Sequence, residues 1–384
     1  MSRRNRVRIQ GKRSLLIRAA LPGVLGVGAL TTALVYPQVA SSSTPSLSLT
    51  SAKSVLGLAL SPTGKIYSGS IKEVGNLGIP SSALSMMGSQ SANNSLSNLA
   101  MAALGGSVTT NFWTNHSSEA RIQIPSTNGE LDVYASKTGI WEWNSTTNTA
   151  TEIKPAAGST GKSRSDVTGG DASSMPTPST VADKIISHLP KGSTIALAAP
   201  RYIADQSSYV LSINTNDPSS LIGNIQVGVD SNSGQVLGVW VYPTGTTTPA
   251  FSSYYQSVAF TQPSPLVFDF TVPVGATQKT ITLPAMSKSS SFETKHANLS
   301  SSAVAHNSYG SGFSRVEVIR FSKPGTAARP NSAMVSLLAA GTQVNTSLGS
   351  GTVVTTSLFS LFIGHNGVYA FGTVPAKVLL GDLG

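Results

Sequence analysis

Short stretches of alternating apolar and polar residues recur along most of this chain, broken by a few segments with helical spacing. Ala120, Ile122 and Ile124 alternate with Arg121 and Gln123, the period-two pattern of a half-buried strand. Leu131, Val133 and Ala135 continue it beyond the Asn128-Gly129 turn, and Trp141 and Trp143 share one side of the next strand with Glu142 opposite. These patterns predict an antiparallel meander of strands over 107–116, 119–124, 130–136, 140–144 and 150–154. A second strand-rich block is expected over 193–199, 208–214, 222–230, 235–242 and 254–261. Within it, Ile225, Val227 and Val229 and the turn Asp230–Gly234 mark a hairpin. An earlier strand is expected at 65–72.

Two segments repeat apolar residues at helical spacing and end at proline. Ala52, Val55, Leu56, Ala59 and Leu60 predict a helix at 51–60, stopped by Pro62. Val181, Ala182, Ile185, Ile186 and Leu189 predict another at 180–189, with Asp183 in a capping-box position and Pro190 closing it. Leu96, Leu99, Ala100, Ala103 and Leu104 suggest a third, ended by Gly105-Gly106. Residues 156–178 and 278–311 have little periodicity and read as a loop and a flexible linker. Beyond them a smaller unit is expected: a strand at 315–321, a helix at 333–340, and a hairpin of 352–363 with 368–373 around His365-Asn366-Gly367.

Charge changes the picture at one end only. Arg3, Arg4, Arg6, Arg8, Lys12, Arg13 and Arg18 lead into the uncharged stretch 19–36, the order of an export signal. This stretch is either cleaved near residue 40 or kept as an anchor, since a membrane span needs ~20 residues. The basic residues before it carry most of the formal net charge of +10, so the rest lacks the clustered basic face of a nucleic-acid binder. The chain is therefore expected outside the cytoplasmic membrane. It has no cysteine, which excludes disulfides and a lipid-modified N-terminal cysteine. The domains expected are 1–45 as targeting segment and linker, 46–277 as the main domain, 278–311 as linker and 312–384 as a small C-terminal unit.

Motifs for chemistry are weak. Residues 156–163, Ala-Ala-Gly-Ser-Thr-Gly-Lys-Ser, satisfy a loose phosphate-loop pattern, but no helical periodicity follows to supply the N-terminus that cradles phosphate. Lys137-Thr138-Gly139 matches one motif of penicillin-binding enzymes, yet the only Ser-x-x-Lys, Ser159 to Lys162, lies in the expected loop. His116, His188, His296, His306 and His365 are scattered, with no partner at metal-ligand spacing. No catalytic residue, metal, nucleotide or cofactor is expected, and the chain is not expected to be an enzyme. The aromatic residues say more. Trp113, Trp141, Trp143, Trp240 and Phe260 fall in the strand-rich blocks and either fill a core or line an apolar pocket. In the pocket reading, the helix at 180–189 covers the tryptophan face, adding Val181 and Ile185 to the cavity.

The order of pieces over 46–276 resembles the LolA-like lipoprotein-carrier superfamily, including the periplasmic RseB/MucB-type anti-sigma regulators. Tyr67-Ser68-Gly69-Ser70-Ile71 is similar to the short first strand of such domains. Leu131 to Tyr134, followed by Trp141-Glu142-Trp143-Asn144, resembles their strand pair ending in Trp-x-Trp. Tyr209 to Ile213, Ile225 to Asp230, Gly234 to Leu237 and Phe268 to Pro273 resemble later strands, and Gly372-Thr373-Val374-Pro375 the end of the small domain of the RseB-like branch. The resemblance implies a β-rich α+β fold, a half-closed antiparallel β-barrel with helices in its concave mouth, plus a small C-terminal α/β unit. It further implies lipid or lipoprotein acyl chains as ligands, or an anti-sigma factor or other envelope protein as partner, and no catalytic residue.

Overall fold

The computed structural model describes residues 44–79, 105–117, 119–136, 139–154, 177–282, 303–321, 338–347 and 349–381. The expected targeting segment, the helix near 96–104, the phosphate-loop-like sequence and Lys137-Thr138 lie outside them, as does the helix at 333–340 except for its end at Leu338 and Ala339. Among the described residues no helix is long and apolar enough to cross a membrane.

Helix α1 (Ala52–Leu60) is capped by Ser51, whose hydroxyl accepts the Ser54 N–H at 3.1 Å. Eleven strands follow, interrupted once by α2 (Pro178–Ile186). The first group is β1 (Ser68–Gly75), β2 (Ser107–Thr114), β3 (Ala120–Ser126), β4 (Gly129–Ala135), β5 (Ile140–Asn144) and β6 (Thr149–Lys154). The second is β7 (Thr194–Ile203), β8 (Gln206–Asn214), β9 (Ile222–Asp230), β10 (Val236–Pro243) and β11 (Phe251–Ala259). The two groups join through β1 and β11, giving one sheet in the order β12-β6-β5-β4-β3-β2-β1-β11-β10-β9-β8-β7. All pairings are antiparallel except that of β12 (Thr277–Thr282) with β6. The edge strands β7 and β12 do not pair with each other, so the sheet is not a closed barrel.

Helix α2 starts two residues before the expected Thr180, and Asp183 does not cap it. The N-cap is Thr177, which exchanges two hydrogen bonds with Thr180, and Pro178 fits the first turn because its missing N–H would be unpaired there anyway. Both helices lie on one face of the sheet. Val55 of α1 and Ala182 of α2 are buried against Leu211, Ile213, Ile225, Val227, Val229, Val239 and Val241. The β9–β10 turn holds the end of α1: Gly234 adopts φ +74° and abuts the Leu58 carbonyl, so a β-carbon there would collide. The Thr63 N–H donates to the Ser233 carbonyl at 2.8 Å.

The expected linker 278–311 carries most of β12 at its start and β13 (Ala303–Tyr309) near its end. β13 belongs to a second sheet, ordered β13-β14-β18-β17-β16-β15, with β14 (Val316–Phe321), β15 (Thr342–Thr346), β16 (Gly349–Thr355), β17 (Ser360–Gly364) and β18 (Val368–Gly372). The single strand expected over 352–363 is broken into β16 and β17, because the Thr356 side chain accepts the Leu358 and Phe359 N–H groups and turns the chain. A short helix, α3 (Ala376–Gly381), packs its buried Leu379 on this sheet. The second sheet docks on the first: Leu358 is buried in the core under α1 and α2, Phe313 and Phe359 pack beside it, and Leu221 N–H donates to the Thr373 carbonyl at 2.8 Å.

Candidate functional site

Strand alternation and register decide which side chains share a surface. Leu197, Leu211, Val227, Val239, Ser253, Glu73 and Val108 are successive cross-strand partners from β7 to β2, and so form one row on the helix-covered face. Leu211, Val227 and Val239 are fully buried under α1 and α2. Val181 and Ile185 lie under α2, packed against this core. The apolar row ends at β11, where Ser253 and then Glu73 take the core positions.

The four tryptophans are elsewhere. Phe112 lies on the helix-covered side with Val108 and Thr110, so Trp113 takes the opposite face. There Trp113, Arg121, Tyr134 and Trp141 are successive cross-strand partners. Trp143, partnered with Asp132, and Trp240, between Val239 and Val241, project the same way. Phe260 lies just past β11, beside Gly64, and with Trp141 and Trp240 packs against one cluster that includes Ile66, Phe112, Tyr134 and Tyr255, so these three of the expected site residues do come together. The structure therefore does not bring the seven residues into one cavity: α2 covers Val181 and Ile185, while the tryptophans face away from it. Trp141 and Trp143 do share a side, as their spacing requires, but Ile140 and Glu142 are the residues on the helix-covered side.

What covers the tryptophan face is the segment after β11, with a short turn of 3-10 helix at Pro265–Phe268. Phe270 stacks on Tyr134 and Trp141 with ring centroids 4.8 and 5.4 Å away. The Arg121 guanidinium lies over the Tyr134 and Trp113 rings, and its Nη1 donates to the Val267 carbonyl at 3.1 Å. Its Nη2 donates to the Tyr134 hydroxyl, which donates to Asp132 Oδ2 at 3.3 Å. Burial, and secondly Glu130, push the Asp132 carboxyl up to about 7, although Arg121 and the Tyr134 hydrogen bond pull the other way. Farther along, Arg201 lies 4.6 Å from the Trp240 ring, and a β-carbon at Gly238 would strike that ring. This face is a half-buried aromatic and ionic surface, closed only over Tyr134, Arg121 and Asp132.

The helix-covered face holds polar groups the sequence reading missed. Glu73 is 5% exposed, and burial alone pushes its carboxyl up to about 7. Ser253 beside it is fully buried, and its Oγ has no hydrogen-bond partner among the described residues. Tyr255, two residues on, is hydrogen-bonded to Thr177 at the start of α2, and burial raises its phenol. The signal for Glu73 was available, because it keeps step with Ile71 in the alternation of β1. Glu142, also on this face, is raised by burial too.

The histidines have local roles. His116 Nε2 is 2.8 Å from the Ile66 carbonyl, His188 Nδ1 is 2.7 Å from the Lys184 carbonyl, and His306 pairs with Glu317 at 2.8 Å. His365 lies in the β17–β18 turn, and His296 is outside the described residues. Among the described residues, no group of three or more His, Cys, Asp and Glu is placed to hold a metal.

No protein-family model and no curated protein matches this sequence. Solved structures of similar fold include the MucA/MucB complex from Pseudomonas aeruginosa, at 10% identity and TM-score 0.39, covering 85% of this chain and 95% of that one. A LolA superfamily protein from Nitrosomonas europaea is similar at 10% identity and TM-score 0.22, over 58% of this chain and 99% of that one. A DUF1329 family protein from Desulfovibrio piger is similar at 9% identity and TM-score 0.18, over 83% and 89%. The likeness is one of fold.

Proposed function

We propose that this chain is an exported, membrane-proximal binding protein, not an enzyme, that holds lipid or lipoprotein acyl chains against the sheet face beneath α1 and α2. The observation that carries this reading is the nature of the cover. A row of fully buried aliphatic side chains on β8, β9 and β10 is roofed by two nine-residue helices rather than by a second sheet. Val55 is the only fully buried residue of α1, and Leu60 at its end is 62% exposed. Such a roof can move aside and let an acyl chain take its place, because both expose the same aliphatic surface. Each methylene buried contributes ~0.8 kcal/mol, so a long chain can replace the contacts of a helix. Native mass spectrometry of the full chain purified from membranes tests this. Co-purified acyl lipid is expected, and a protein mass free of lipid across preparations counts against it.

A second reading has its own observation. Leu358, Phe359 and Phe313 of the second sheet pack into the same core as α1 and α2, so movement of the roof would be felt there. That supports an envelope-stress regulator of RseB type, which binds an anti-sigma factor or another envelope protein and responds to lipid. Lipid that changes the affinity for such a partner would favour this reading over simple carriage.

A further inference from the structure

Charge is sorted between the two faces of β1–β11. Lys72, Arg121, Lys154 and Arg201 all lie by register on the face away from the helices, with Glu130, Asp132, Glu152 and Asp230. The helix-covered face of these strands carries two charged side chains, Glu73 and Glu142, and no cation. They stand four strands apart, on β1 and β5. Glu142 is half-buried, whereas Glu73 is 5% exposed.

Cross-strand from it, Ser253 is fully buried and its Oγ has no hydrogen-bond partner among the described residues. Unpaired polar atoms in a core are costly, and apolar residues of similar size would fit this row as they do on β8 to β10. The Ser253 hydroxyl and the buried Glu73 carboxyl beside it form a pair of acceptors that one donor group can bridge. The row they end, Val239, Val227 and Leu211, is apolar and crosses three strand spacings, about 14 Å. The geometry points to Glu73 and Ser253 as the head-group subsite for an amphiphile with a primary ammonium head, its chain lying along Val239, Val227 and Leu211. This rests on the acyl-binding reading above. A primary ammonium has three N–H donors and no acceptor, so the carboxylate and the serine hydroxyl satisfy two of them.

The groups facing Glu73 are Val108 and Thr110 on β2 and Ser253 and Tyr255 on β11, with Thr177 of α2 engaged by Tyr255. None of these titrates between pH 5 and 8, because burial raises the Tyr255 phenol. Ammonium binding therefore strengthens as pH rises through the range in which Glu73 ionises.

The test uses the full chain and four probes below their micelle concentrations: dodecylamine, dodecanol, dodecyltrimethylammonium and dodecanoate, by calorimetric titration at pH 5 and pH 8. Dodecylamine is expected to bind about tenfold more tightly than dodecanol at pH 8, with the advantage shrinking at pH 5. Dodecyltrimethylammonium, which has no N–H to donate, should lose most of that advantage. Glu73→Gln should erase the preference for the amine over the alcohol, and Ser253→Ala, a smaller perturbation, should reduce it. If dodecanol or dodecanoate binds as well as the amine, or if both variants keep the preference, the subsite is wrong and the acyl-binding reading stands. If none of the four binds, both fall.

Discussion

On the helix-covered face of the large sheet, Leu211, Val227 and Val239 run in a row with nothing polar until Ser253; on the other, Trp113, Arg121, Tyr134 and Trp141 set a guanidinium between aromatic rings. The covers differ as much as the faces. The segment over the tryptophans is tied by Phe270 stacking and by Arg121 donating to the Val267 carbonyl, so lifting it would strand buried charge. Helix α2 meets its face with Val181, Ala182, Ile185 and Ile186, helped by Leu189 just past its end and by the Thr177–Tyr255 hydrogen bond. Lifting it exposes apolar surface that a ligand can cover again. The aromatic face is thus the fixed side of the sheet, and the aliphatic face is the side built to exchange partners.

The largest effect should come from breaking the fixed side. Arg121→Ala leaves Asp132 buried with its partner gone and should cost about 3–5 kcal/mol in urea unfolding. A loss under about 1 kcal/mol would mean that the cluster does not hold this face. On the aliphatic side Leu211→Ala should cost about 2–5 kcal/mol through the cavity it leaves, and added acyl ligand should recover part of that loss. Recovery in Leu211→Ala and none in Arg121→Ala would sharpen the contrast; equal recovery would remove it.

Acidity gives a third handle. The Glu73 carboxyl is raised from 4.5 to about 7 in the folded protein, so stability is full below pH 4.5 and is lost as pH rises through 7. The loss from this residue should be about 3 kcal/mol, and Glu73→Gln should flatten it in unfolding curves taken from pH 4 to 8. Asp132 is raised in the same direction, so the slope that remains in Glu73→Gln should shrink further on Asp132→Asn, leaving the smaller share of Glu142 and Asp183. Wild-type protein more stable at pH 8 than at pH 5 would contradict both. The smallest effect is expected in the cover of the aromatic face, where Leu266 is 77% exposed: Leu266→Ser should shift stability by no more than about 0.5 kcal/mol.

Period-two alternation made β2 to β6 and β7 to β11 legible because each has one face in the core and one outside it. The stripe Ala52, Val55, Leu56 and Ala59 did the same for α1. Strand β12 was illegible for the opposite reason: Thr277–Thr282 is exposed along its whole length, so no alternation marks it, and it read as linker. The shared side of Trp141 and Trp143 follows from their spacing alone. Which cover lies over that side does not, because it depends on where α2 and the 265–270 segment land after non-local pairing. The same limit hid the Glu73–Ser253 pair. Its members are far apart in sequence and meet only because β1 pairs with β11. The resemblance supplied the order of the pieces but no acceptor pair on the aliphatic face.

The most direct measurement is a titration of the full chain with a fluorescent fatty acid, beside the double variant Val181→Asp/Ile185→Asp, with thermal melting of both. Wild type should bind saturably. The variant, whose α2 can no longer lie on Val239 and its neighbours, loses the competitor for that surface and should bind more tightly, while its unliganded form melts at a lower temperature. Saturable binding of equal strength in the two proteins, or none in either, would contradict the account that the helix-covered face is where acyl chains are held.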